Sequence, residues 1–179
     1  ANLTIAEHGV IVTGADNETA ILLLSGDVEY SFDGKTENAK RENQFKDRPY
    51  CVHFSRNNKV TVTANADSRV LIQQTDNEND FGFVWYSPEN VILQEFGKDQ
   101  WNGTAHRQVL TLFDYENAPY SNMVLGEVIH KPGCWSSYPP HYHPQPEVYY
   151  YEFDKPQGFG VGFNGDDCYK VEDQGVLCI

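Results

Sequence analysis

Positive charge is scarce in this chain: 13 Lys and Arg stand against 26 Asp and Glu in 179 residues, a formal net charge of −13 at pH 7. A surface of that sign repels phosphate, which argues against a nucleic-acid or anionic-membrane partner. Long apolar runs are missing as well. None approaches the about 20 residues needed to cross a bilayer, and the N-terminal ANLTIAEHGVIVTG has no basic stretch leading into an apolar one, so no signal peptide is expected. The four cysteines, at 51, 134, 168 and 178, form no CxxC pair and no regular spacing. They read as free thiols of a reducing cytoplasm, with a Cys168–Cys178 disulfide the lesser reading. Helical patterning is almost absent. Only TENAKRENQFKDR (36–48) resembles a helix; it has no clear apolar stripe, is followed by Pro49, and reads better as a polar loop.

What the chain has in quantity is strand signal. GVIVTG, AILLLSGDVEYSF, YCVHFSR, KVTVTANA, SRVLIQQT, FGFVWYS, NVILQEF, RQVLTLF, NMVLGEVIH, EVYYYEF and GFGVGF are rich in Val, Ile, Thr, Tyr and Phe. Gly, Asn, Asp and Pro separate them at spacings of about 8 to 12 residues, the rhythm of an all-β sandwich or barrel. The cadence also repeats. Residues 20–35 run from an apolar strand through Gly and alternation to an acidic-Gly turn, and residues 147–166 do the same. A repeat of about 120 residues predicts two consecutive barrels. The join is expected near DYENAPYSN, giving domains at 1–118 and 119–179. The chain stops on the apolar QGVLCI, so the second barrel is expected to be incomplete.

The chemistry concentrates in PPHYHPQPE (139–147). On a strand, side chains two apart share a face, with Cα atoms roughly 6.5 Å apart. His141 and His143 could then reach one ion while Tyr142 faces away, and Glu147 shares their parity beyond the Pro144–Pro146 bend. Imidazoles suit Zn, Fe, Ni, Cu or Mn, and a carboxylate favours the harder members of that set. Two histidines and one carboxylate leave open positions, as a catalytic site requires. His8 and His53 are isolated, and His53, inside YCVHFSR, reads as a packed or edge histidine.

HYHPQPE resembles the cupin pattern of HxH, a short spacer and Glu. The longer stretch 126–163, through WSSYPPH (135–141), EVYYYEF (147–153) and the PQGFG turn (156–160), is similar to the second cupin of the 5-deoxy-glucuronate isomerases, bicupin enzymes of myo-inositol catabolism. RQVLTLF and LLLSGDVEY fit the same family more weakly. The resemblance implies tandem cupin barrels, the first without a metal motif, and a metal-dependent aldose–ketose isomerase producing 5-dehydro-2-deoxy-gluconate in the cytoplasm. It implies His141, His143 and Glu147 as ligands of a divalent Zn, Mn, Fe or Ni. The family takes a fourth ligand, a histidine, from a later strand. That position lies past Ile179, so the fourth protein ligand is not present here and the chain as written is expected to bind metal poorly; His106 and His130 are the histidines left to replace it.

Trp135, Ser136, Ser137 and Tyr138 precede the ligands and could contact sugar hydroxyls. Tyr149 and Tyr151 share the face of Glu147, as substrate contacts or as barrel lining, and the catalytic base is not identified by the sequence. Lys131 is the nearest cation for a substrate carboxylate. A sugar acid is therefore the expected small-molecule partner, and a homo-oligomer is compatible with bicupin sheet edges. Two other readings stay open: isomerisation of 4-deoxy-5-hexosulose uronate, and a non-catalytic sugar-acid-binding bicupin. A metal-dependent dioxygenase is also compatible with open positions on iron, but the long match favours the isomerase.

Overall fold

The structure, a computed structural model, describes residues 1–3, 9–137 and 139–179; His8 lies outside them. The described residues are all-β: fifteen strands and one 3₁₀ turn at Trp101–Gly103, with no α-helix among them. In chain order the strands are β1 (Asn2–Leu3), β2 (Val10–Thr13), β3 (Asn17–Phe32), β4 (Lys35–Arg41), β5 (Cys51–Phe54), β6 (Lys59–Ala64), β7 (Ser68–Asp76), β8 (Phe83–Tyr86), β9 (Ile92–Phe96), β10 (Arg107–Phe113), β11 (Leu125–His130), β12 (Val148–Tyr150), β13 (Phe159–Asn164), β14 (Asp167–Glu172) and β15 (Val176–Cys178). Each of the eleven stretches read as a strand contains one. No helix is long and apolar enough to cross a membrane among the described residues. All four cysteines are free thiols, Cys51 being buried.

Residues 1–136 form one compact unit and residues 137–179 another. The first is organised by β3, sixteen residues long. Its first half pairs with β5 and β7, its second half with β4 and β6, and β2 adds to β6. The ladder with β7 slips by one residue between Leu23 and Ser25. Such a bulge reverses which face a side chain points to. Core-facing residues accordingly change from Ile21 and Leu23 to Val28, Tyr30 and Phe32. Gly26 makes the bend possible: its φ is +117°, and a Cβ there would stand 2.1 Å from the Ser68 hydroxyl. The core between the two halves also takes Val52, Phe54, Val60, Val62 and Val70.

The consecutive run AILLL is explained by burial on both faces of β3. Ala20 and Leu22 are as buried as Ile21 and Leu23. The outer face is covered from β10: Phe113 stacks on His53, the cross-strand partner of Ala20, with ring centroids 4.1 Å apart and planes 1° from parallel. His53 is thus the packed histidine its sequence context suggested. β10 is the middle of a three-stranded antiparallel sheet ordered β11–β10–β9. Its pairing with β11 runs across the join expected at 118/119.

One expectation fails. The polar stretch 36–48 is a strand as far as Arg41, where β4 pairs with β3, and gives way to turns only after it. Its inward positions are Ala39 and Arg41. One small residue and one cation do not produce an apolar alternation, and Arg41 is buried because its charge is answered, as described below.

The second unit pairs β12 with β15 and β13 with β14. Val171 and Leu177 are its buried hydrophobic side chains among the described residues. Gly162 is required by their approach, since a Cβ would come within 2.4 Å of Leu177 Cδ2.

Candidate metal centre

The segment carrying both histidines is not a strand: regular structure begins only at Val148. Pro139, Pro140, Pro144 and Pro146 each remove a backbone donor and fix φ, which denies residues 139–146 a ladder. Ladder pairing resumes at the glutamate. The Glu147 amide donates to the Ile179 carbonyl at 3.0 Å and the Ile179 amide returns a bond to the Glu147 carbonyl at 2.9 Å. Glu147 is therefore held at the sheet margin and the histidines project from a proline-braced loop. The same-face argument from strand parity does not apply to them, yet the loop still brings them near.

His143 Nε2 lies 3.2 Å from Glu147 Oε1. Donor atoms that share one ion, with bonds of about 2.1 Å, stand roughly 3 Å apart, so this pair has the spacing and chemistry of two metal ligands. His143 Nδ1 is buried and has no hydrogen-bond partner among the described residues, so Nε2, facing Glu147, is the ring nitrogen with a protein partner. The ring of His141 is centred 5.9 Å from that of His143. Its Nδ1 lies 3.1 Å from the Pro139 carbonyl oxygen. A carbonyl only accepts, so Nδ1 carries the proton, and in the neutral ring Nε2 keeps the lone pair a metal would use. Among the described residues no three His, Cys, Asp or Glu side chains converge closely enough to hold an ion together. The donor set fits at His143 and Glu147, with His141 adjacent rather than convergent.

Tyr149 completes the arrangement. Its hydroxyl donates to Glu147 Oε2 at 2.5 Å, a charge-assisted bond that fixes the carboxylate. Burial, and next the bond to Glu147, push the Tyr149 phenol up to about 12, against a smaller opposing effect of a hydrogen bond with Ser137. Tyr151, whose ring centre is 6.2 Å from that of Tyr149, is also raised, first by burial and then by the Glu147 charge. Both are protonated at neutral pH. Neither is a general base.

Of the other sequence candidates, Trp135 and Ser136 belong to the first unit, where the Trp135 amide donates to Thr104 at 2.7 Å; Tyr138 lies outside the described residues. His106 and His130, considered as substitute ligands, also belong to the first unit. His106 Nε2 is 3.7 Å from Glu95 Oε1, and His130 is paired across the ladder with Arg107. The Tyr149–Glu147 bond was not anticipated from sequence, although EVY places the phenol two residues from the carboxylate on a strand, the spacing that puts both on one face.

Comparison with known proteins gives these residues a context. The model of the KduI/IolB family matches residues 5–179. A curated 5-deoxy-glucuronate isomerase of Bacillus licheniformis is 32% identical over 154 residues, covering 79% of this chain and 55% of that protein. The isomerase of the same name from Bacillus subtilis strain 168 is 31% identical over 129 residues, 66% of this chain and 46% of the relative. That of Halalkalibacterium halodurans is 27% identical over 156 residues, 80% and 56%. The chain spans about half the length of the curated relatives it matches. In fold it is similar to an IolB-like protein from Salmonella typhimurium LT2, with a TM-score of 0.85 at 20% identity, covering 99% of this chain and 72% of that one.

Proposed function

We propose that this chain, which belongs to the KduI/IolB family, carries the metal-binding part of a cytoplasmic aldose–ketose isomerase that converts 5-deoxy-glucuronate to 5-dehydro-2-deoxy-gluconate in inositol catabolism. His141, His143 and Glu147 would hold a divalent Zn, Mn, Fe or Ni. The observation that supports this most is the His143–Glu147 pair at 3.2 Å, with the second carboxylate oxygen taken by Tyr149. The curated relatives, each named 5-deoxy-glucuronate isomerase, support the isomerase part of this reading.

When bound, a divalent ion supplies Lewis-acid stabilisation of charge on substrate oxygens. The chain's own residues supply orientation. Pro139 fixes the tautomer of His141, and Tyr149 holds Glu147 in one rotamer. Tyr151, protonated, can donate a hydrogen bond to a substrate oxygen, whereas Tyr149 has its single proton in the bond to Glu147 and can only accept; neither phenol takes the proton that moves between C2 and C1. Trp135, Ser136 and Tyr138 are proposed sugar contacts.

A second reading, a sugar-acid-binding protein without turnover, is favoured by the absence of a third convergent donor among the described residues. Proton NMR in D₂O separates them. With 5-deoxy-glucuronate and each of the four ions in turn, loss of the aldehyde signal that stops on chelation supports the isomerase. Binding without turnover under every ion supports the second reading. Turnover of 4-deoxy-5-hexosulose uronate alone would move the assignment to that substrate.

A further inference from the structure

The β9–β10–β11 sheet of the first unit has two faces of opposite character. One carries Leu110 inward together with Glu127, which meets Arg41. The other is read from the ladder row by row. Its first row is Phe96–Arg107–His130 and its second Gln94–Val109–Val128. The third, Ile92–Thr111–Gly126, is uncharged. No acid occurs at these nine positions, in a chain with 26 Asp and Glu against 13 Lys and Arg. The face is not covered by the unit itself: Phe96 is 40% exposed and Val128 37%.

Arg107 is held ready on this face. Its guanidinium lies over the Phe96 ring, 5.3 Å from the centroid, and Nη1 donates to the Ala105 carbonyl at 3.0 Å. Most of its five N–H donors stay available, and among the described residues no carboxylate forms an ion pair with it. His130 stands beside it as its direct cross-strand partner. Partial burial, then the Arg107 charge, keep its imidazole below its usual pKa, so near neutral pH it offers an N–H without adding a second full charge. A cation stacked on an aromatic ring, a neutral N–H donor and a neighbouring Gln and Thr match a small molecule with one carboxylate and several hydroxyls.

We propose that the Phe96–Arg107–His130 row is a carboxylate-binding site for a sugar acid, with Arg107 as its principal anchor. The class of ligand rests on the isomerase reading above; the site itself rests on the acid-free face and the unpaired guanidinium. Lys131, the cation nearest the metal motif in sequence, lies one residue past the end of this ladder.

The test is calorimetric titration of the chelator-treated protein with D-glucuronate and, separately, with D-glucose. Glucuronate binds saturably and glucose does not. Arg107→Met weakens glucuronate binding about tenfold or more, the loss expected when a charged hydrogen-bond partner is removed, and Arg107→Lys falls between. His130→Gln, expected to weaken it by a smaller factor, carries the test if Arg107→Met does not fold by circular dichroism. Equal affinity of glucose and glucuronate, no glucuronate binding, or unchanged affinity in folded Arg107→Met overturns the proposal. Because metal is absent throughout, glucuronate binding that depends on Arg107 upholds the site even if the isomerase assay is negative.

Discussion

Arg41 and Glu127, 86 positions apart, meet in a double hydrogen bond: Nη1 to Oε1 at 2.7 Å and Nη2 to Oε2 at 2.6 Å. The Arg41 side chain has no solvent exposure and that of Glu127 14%. Arg41 also donates to the Leu23, Gln44 and Asp47 carbonyls, so one guanidinium ties β3, the turn after β4 and β11 together. Removing Glu127 leaves a buried charge without its counterion. Glu127→Ala is expected to lower unfolding free energy by roughly 3 to 5 kcal/mol, whereas the double change Arg41→Met with Glu127→Leu recovers most of it. Urea unfolding of the three proteins checks both statements.

Glu18 gives a pH prediction. Burial pushes its carboxyl pKa up, but bonds from His53, Ser121, the Asn122 amide and Asn77 outweigh that and hold it below the usual value. His53 Nε2 and Asn77 Nδ2 each stand 2.6 Å from a Glu18 oxygen. A carboxyl with a lower pKa when folded contributes stability that is complete above the unfolded value, about 4.3, and lost as pH falls through the folded one. Melting temperature should therefore decline below about pH 4.3, and Glu18→Gln should be less stable at pH 7 with a shallower acid decline. Equal acid slopes in the two proteins would contradict this.

Gly26→Ala places a Cβ where φ is +117° and Ser68 backbone stands 2.6 Å away. We expect a loss of about 1 to 3 kcal/mol, seen as a lower urea midpoint, with Gly34→Ala, where nothing lies within 4 Å, the milder control.

Tyr149→Phe removes the bond from its hydroxyl to Glu147 Oε2 while keeping the ring. Losing an outer partner of this kind weakens metal binding about 10- to 100-fold, measurable by competition with a metal indicator, and should leave the melting temperature of the metal-free protein within a degree or two.

The strands were legible because each carries its own local pattern of β-branched and aromatic residues between turn formers. β4 was not, because its inward residues are Ala39 and Arg41, and burial of Arg41 depends on a partner 86 positions away. β14, with a single buried residue at Val171, shows no alternation either. At the proposed site HxH and Glu mark candidate donors in the sequence, but their backbone is not a strand: the same prolines that mark the motif break the ladder beneath it. Arg107, Phe96 and His130 come from three separate strands, and only the register places them in one row.

The most direct test of the central claim is metal content after equilibrium dialysis against Zn or Mn, for the wild type and for His143→Ala and Glu147→Ala. With metal in enough excess to fill a weak site, about one ion per chain in the wild type, lost in both variants while their folded signal is retained, is the predicted result. A wild type that takes up no ion, or variants that bind as much as it does, would contradict a metal centre at His141, His143 and Glu147.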